Sequence, residues 1–264
     1  ALSVYSAKHI EETSPIVDVL GGSEGGIFYS FKLTSAILAH GHAMTSIAYH
    51  GALGTPAYVK EIPIEPIIKR ISDLRSDAAG NQRCIAVIGI SKGAELALLL
   101  AAKADVADVT VAVVPSYVVW QSSEISLSRH SSWVYNGEPL TFVEYPWFSN
   151  GALTYLIKGP MQARGIHETG LKNTTSLEEA SIPVENISKP VLLQGAIQDK
   201  VWPSHEMSLA IMERVTNKNP KHRFKLRSYD LNHFLVANQE PVDDALKFIT
   251  QAFNANTTCE GSRI

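Results

Sequence analysis

Cysteine is scarce in this chain: its 264 residues include two, Cys84 and Cys259. A disulfide-stapled scaffold is thereby excluded as the basis of stability, and no cysteine–histidine spacing fits a structural metal site. Cys84 opens an apolar run and Cys259 lies in a polar tail, so the two are not expected to pair. Charge is sparse too. Acidic and basic residues make up 19% of the chain, with a formal net charge of −3, which gives nucleic acid or an anionic membrane no electrostatic hold. No apolar stretch approaches the roughly 20 residues of a membrane span, and no N-terminal secretory pattern is visible. Internal repeats and low-complexity tracts are missing. These absences lead to the expectation of a cytoplasmic protein with no metal, no cofactor, and no nucleic-acid or membrane partner, its oligomeric state left open.

What the chain does have is apolar residues, 45% of the total. At this length they suffice for one large α/β domain. Short apolar runs alternate with helical spacings. Strands are expected at Ile16 to Leu20, Ala43 to Tyr49, Cys84 to Ile88, Val109 to Val114, Pro190 to Gln194 and Phe224 to Tyr229. Helices are expected at Phe31 to Ala39, Ile64 to Leu74, Ala94 to Ala102, Ser204 to Val215 and Pro241 to Phe253. Such alternation predicts a mostly parallel sheet with helices on both faces. The rhythm breaks over residues 116–188, a stretch that carries Trp120, Trp133 and Trp147 without a clear period. Long irregular insertions inside a domain are commonly functional. This one is read as a cap or pocket wall, with Trp133 as a substrate-pocket residue.

Gly89-Ile90-Ser91-Lys92-Gly93 reads G-x-S-x-G between an apolar run and a run of helix formers. A serine pinched between strand and helix sits on a sharp turn with its hydroxyl held out at the top of the sheet, the nucleophile elbow of serine hydrolases. A serine nucleophile needs a base, and the base needs an acid to orient it. In such folds the chain order is serine, acid, histidine. Asp199 follows a late strand and fits the acid, with Asp230 as the alternative. His233 follows the last strand and fits the base; the other histidines stand in poorer places along the chain. The developing oxyanion needs backbone N–H donors. One is expected from Lys92, the other from the glycine cluster at Gly22 or Ser23, between which the sequence does not choose. The Lys92 side chain reads either as solvated or as a charge at the mouth of the site.

The segment from Gly89 to Leu98 resembles the elbow of the acyl-CoA thioesterases and bile acid-CoA:amino acid N-acyltransferases. Ile16 to Gly22 resembles that family's oxyanion strand, Ser131 to Leu140 a stretch of its bacterial members, Gln198 to Ser204 its acid loop, and Asn232-His233 its histidine loop. The resemblance runs from about Ile16 to Phe253 and implies an α/β-hydrolase fold with Ser91, Asp199 and His233 as triad, residues 1–264 being read as a single domain. It also implies cleavage of acyl-CoA to free acid and CoA. The amino-acid-conjugating members use a cysteine nucleophile, so Ser91 favours hydrolysis over transfer. Longer members carry an N-terminal β-sandwich, for which little chain precedes the first strand here; a small carboxylic ester or lactone is therefore the alternative substrate. If CoA is bound, its phosphates need cations, for which Lys92 and Arg129 are the candidates.

Overall fold

Along the strand Ile85–Ile90, the side chains of Ile85 and Val87 enter one apolar core, and those of Ala86, Ile88 and Ile90 enter another. A strand buried on both faces requires this pattern. The computed structural model describes residues 3–6, 14–76, 82–124, 128–146, 148–172 and 177–255. In chain order the strands are β1 Ser3–Ser6, β2 Ile16–Leu20, β3 Ala43–Ala48, β4 Ile62–Pro63, β5 Ile85–Ile90, β6 Val109–Val113, β7 Trp133–Tyr135, β8 Glu138–Pro139, β9 Val191–Ala196 and β10 Phe224–Tyr229. The helices are α1 Phe31–Ala39, α2 Glu65–Leu74, α3 Lys92–Ala104, α4 Asn150–Lys158, α5 Arg164–Leu171, α6 Leu177–Ala180, α7 Ser204–Lys218 and α8 Gln239–Asn254.

Seven strands form the main sheet in the order β1-β3-β2-β5-β6-β9-β10. The pairs from β3 to β10 are parallel, and β1 joins the β3 edge antiparallel. Helices α1 and α8 cover one face, where Leu33, Ile37, Leu246 and Ile249 pack with Val17 and Val19. Helices α2, α3 and α7 cover the other, through Ile67, Ile71, Leu96, Leu99, Ile211 and Val215. Helix α3 is buried from Lys92 to Ala101. Its outer side is covered by residues 116–188, which bring Val119, Trp133, Ile182 and Val184 into the same core.

The predicted core elements stand where the sequence puts them. The elbow strand runs on to Ile90, and α3 begins at Lys92. Residues 116–188 are more regular than expected. They hold β7 and β8, which join β4 in a small three-stranded sheet, as well as α4, α5 and α6. Strand β1 was not foreseen. Cys84 is not a free thiol, against the expectation of two unpaired cysteines; Cys259 and Trp147 lie outside the described residues.

Asp18 is fully buried in the middle of β2. Its Oδ1 accepts the Thr45 hydroxyl at 2.7 Å, and its Oδ2 meets no partner. Burial pushes its pKa up to about 6, against the Thr45 hydrogen bond and the Arg70 charge, which pull it down. A carboxyl whose folded pKa lies above its unfolded value stabilises the fold while protonated. That contribution is complete below about pH 4 and is lost as pH rises through the folded pKa. Asp18→Asn keeps the acceptor for Thr45 and removes the ionisation. Its urea-unfolding free energy should match the wild type near pH 4 and exceed it by about 1–3 kcal/mol at pH 7.5. The same pH dependence in both proteins would contradict this.

Candidate active site

The elbow is built by backbone contact. A Cβ placed on Gly89 would stand 2.2 Å from the Gly93 carbonyl oxygen, and one on Gly93 would stand 2.2 Å from that of Leu20. Only glycine at both positions lets α3 dock this closely on β5 and β2. Between them Ser91 takes φ 55° and ψ −118°, a conformation costly for any residue with a side chain and persisting only where its surroundings fix it. The Ser91 N–H donates to Val113 O at 2.9 Å, and the Ala94 N–H donates to Ser91 O at 2.9 Å. The hydroxyl is thus held at the carboxyl end of the sheet.

His233 reaches it from the loop after β10. His233 Nε2 lies 2.9 Å from Ser91 Oγ, and His233 Nδ1 lies 2.8 Å from Asp199 Oδ2. Asp199 sits in the loop after β9 and is 1% exposed. Its carboxylate also accepts the Val201 N–H at 2.9 Å, the Trp202 N–H at 3.3 Å and the Ser204 hydroxyl at 2.6 Å. With Asp199 as acceptor, His233 carries its proton on Nδ1 and presents a lone pair on Nε2 to the serine. The alternative acid, Asp230, points elsewhere: it accepts the Gln198 side-chain amide at 2.8 Å on the exposed side of the loop. Trp202 braces the acid loop, its Nε1–H donating to Val114 O at 3.1 Å. Val114 itself has φ 45°, a rare conformation for a β-branched residue.

The glycine cluster lies on the other side of Ser91. The Tyr49 hydroxyl donates to Gly21 O at 2.6 Å, and His50 Nε2 lies 3.2 Å from Gly22 O. In a trans peptide the N–H points opposite to the carbonyl. Drawing these carbonyls toward the core therefore turns the Gly22 and Ser23 N–H groups outward. The Gly22 N–H is taken by Glu24 Oε1 at 2.8 Å. Among the described residues, the N–H groups of Ser23 and Lys92 meet no acceptor.

The Lys92 side chain is neither solvated nor at the mouth. It is 3% exposed and paired with fully buried Glu95 at 2.8 Å. Glu95 also accepts Trp133 Nε1–H at 2.7 Å and the Trp120 N–H at 3.2 Å. Burial lowers the Lys92 pKa and raises that of Glu95, while their attraction opposes both shifts. The pair carries no net charge wherever the proton resides. Arg129 is ion-paired with Glu144. Trp133 does not line the pocket: it is fully buried in the core, tied to Glu95. Its indole spans the gap between α3 and the small sheet, a role its position in the chain did not distinguish from pocket lining.

The pocket is a cavity of about 710 Å³ opening at Ser91 and His233. Its apolar walls include Ile27, Phe28, Tyr155, Met161, Ile166 and Trp202, so the insertion contributes part of the lining. His167, missed in the sequence because nothing local marks it, is a buried wall residue. Its Nδ1 lies 3.0 Å from Ala163 O, and burial lowers its pKa to about 4, so it is neutral near pH 7. Among the described residues, no group of His, Cys, Asp and Glu is arranged to hold a metal, and no helix is long and apolar enough to cross a membrane.

The architecture is that of an α/β-hydrolase, and solved structures share it. An esterase of Pyrococcus furiosus matches over 95% of this chain and 87% of its own, with TM-score 0.60 and 18% identity. The esterase Est1E of Butyrivibrio proteoclasticus, solved with ferulic acid, matches over 94% and 96%, with TM-score 0.56 and 15% identity. An acetyl xylan esterase of Paenibacillus sp. R4 matches over 95% and 79%, with TM-score 0.55 and 15% identity. Within that class, residues 69–237 match the family described as BAAT / acyl-CoA thioester hydrolase C terminal, and the chain belongs to that family. No curated protein matches the chain. Family and fold together support a hydrolase of the α/β-hydrolase type.

The buried pair under the elbow yields a stability test. Glu95→Gln keeps an acceptor for Trp133 but leaves the Lys92 ammonium without a counter-charge. It should cost about 3–5 kcal/mol in urea unfolding. The double variant Glu95→Gln/Lys92→Met should recover most of that loss. A single-variant cost below about 1 kcal/mol, the range of an exposed ion pair, would show the pair to be solvated.

Proposed function

We propose that the protein is a serine hydrolase that cleaves apolar acyl esters or thioesters through an acyl-enzyme. The observation carrying this reading is the Ser91–His233–Asp199 chain of contacts, at 2.9 and 2.8 Å, opening on an apolar cavity. Ser91 Oγ attacks the carbonyl carbon as His233 Nε2 takes its proton. Asp199 keeps the imidazole in the required tautomer and stabilises the imidazolium. The oxyanion is received by the N–H groups of Ser23 and Lys92, since that of Gly22 is already engaged by Glu24. The imidazolium then protonates the departing alcohol or thiol as the C–O or C–S bond breaks. In the second half His233 deprotonates a water, which attacks the ester carbonyl of acylated Ser91 and releases the acid. The acyl chain occupies the cavity, with residues 116–188 as part of its wall.

Family membership favours acyl-CoA as substrate. The cavity supports a different leaving group. Lys92 is neutralised by Glu95, and Arg129, ion-paired with Glu144, lies outside the cavity lining, so among the described residues the cavity wall offers no unpaired cation to the phosphates of CoA. We therefore favour esters or thioesters whose leaving group is not anionic, with acyl-CoA as the second reading.

Ser91→Ala should lower kcat by about 10³-fold or more with little change in thermal stability. His233→Ala should be nearly as damaging, Asp199→Asn less so, and the Ser91→Ala/His233→Ala double variant no worse than Ser91→Ala alone. Losses that multiply instead would mean the residues do not act as a unit. The leaving group is tested by comparing acyl-CoA with acyl-N-acetylcysteamine of equal chain length, the same thioester without the phosphates. A kcat/KM for acyl-CoA no higher than that for the N-acetylcysteamine thioester is expected at any salt. An advantage for CoA of about tenfold or more that falls with salt would establish the acyl-CoA reading.

A further inference from the structure

The charges on the cavity wall are unequal in their fates. Lys92 is paired with Glu95 at 2.8 Å, and Glu124 with Lys60 at 2.7 Å. His167 is held neutral by burial, and the His233 ring nitrogens face Ser91 and Asp199. That leaves Glu24. It lines the cavity, is solvent-exposed, and forms no ion pair among the described residues; the titratable groups it acts on are Tyr49 and His50, and burial lowers the His50 pKa. Its carboxylate is nonetheless fixed in place, because Oε1 accepts the Gly22 N–H at 2.8 Å. Oε2 meets no protein donor among the described residues. A Cβ built on Gly22 would stand 2.7 Å from Glu24 Oε2 and 3.2 Å from Ser91 Cβ. The carboxylate therefore lies within about 6 Å of Ser91 Cβ, inside the ~8 Å screening length of physiological salt.

We propose that Glu24 is a specificity residue of the Ser91 site, selecting substrates whose leaving group carries a positive charge and disfavouring anionic ones. This rests on the acyl-enzyme reading above and names the substrate class within it. The acyl chain takes the apolar interior, which leaves the departing group at the mouth beside Glu24. A cation there gains Coulomb energy from a carboxylate already oriented by the Gly22 N–H, and an anion loses the same amount. Because the glutamate is solvent-accessible, the discrimination is modest, on the order of three- to tenfold at this separation. Glu24 touches the reaction through the leaving group alone. The bond-making steps stay with Ser91 and His233.

The test uses two esters of one acyl chain: the choline ester, and the 3,3-dimethylbutyl ester in which carbon replaces the quaternary nitrogen. The pair differs in charge and hardly in shape. Wild-type protein should turn over the choline ester with a kcat/KM about three- to tenfold higher, and the ratio should fall toward one as salt is raised. In Glu24→Gln, which keeps an acceptor for the Gly22 N–H, the ratio should be close to one at any salt. Glu24→Asp, with the charge retained but shortened, should keep part of the preference. A wild-type ratio of one, or a preference that survives Glu24→Gln, overturns the proposal while leaving the hydrolase reading intact. Failure of the wild type to hydrolyse either ester, or hydrolysis that persists in Ser91→Ala, overturns the hydrolase reading and this one with it.

Discussion

The site depends on one steric constraint, the backbone-to-backbone approach of α3 to β5 and β2. At Gly89 and Gly93 there is no room for a methyl group, since a Cβ on either would meet a carbonyl oxygen at 2.2 Å. This approach holds Ser91 at φ 55° and fixes where its hydroxyl emerges. It also brings the first N–H of α3 next to the glycine cluster after β2, so that the Ser91 hydroxyl and the unengaged backbone N–H groups converge from two neighbouring strands. Each later feature of the site is placed relative to that point.

The supports around the elbow follow from what it buries. Docking α3 this closely puts the Lys92 and Glu95 side chains out of water, and a buried ion pair is tolerable only with its remaining hydrogen bonds met. Trp133 and Trp120, both from residues 116–188, supply them. The insertion therefore does two jobs: it closes the polar interior beneath α3 and walls part of the cavity above it. The acid loop is fixed in a comparable way. Asp199 accepts hydrogen bonds from Val201, Trp202, Ser204 and His233, and Trp202 ties the loop to Val114 at the end of β6. Tyr49 and His50 orient the glycine-cluster carbonyls from the end of β3.

Much of this was legible in the sequence because it is local or ordered along the chain. Apolar runs and helical spacings located the core strands and helices. The G-x-S-x-G motif pointed to Ser91 and the chain order of the mechanism to Asp199 and His233, three residues whose side chains the structure links through His233 at hydrogen-bond distance. What the sequence left open depends on contacts between distant segments. Gly22 and Ser23 are equivalent as text; only the bond from Glu24 to the Gly22 N–H separates them. Lys92 reads as a surface residue until Glu95, Trp120 and Trp133 are seen around it. Trp133 was expected in the pocket and stands in the core, while Trp202 and His167 line the cavity instead. An aromatic residue in an aperiodic segment carries no mark of which side it faces.

The central claim is that Ser91 forms a covalent acyl-enzyme with His233 as its base. Its most direct measurement is intact-mass and peptide-mapping spectrometry after reaction with diethyl p-nitrophenyl phosphate, which transfers a diethylphosphoryl group to an activated serine. The account predicts one adduct per chain, mapped to the peptide containing Ser91, forming far more slowly in His233→Ala. An adduct on another residue, or labelling of Ser91 at the same rate without His233, would contradict it.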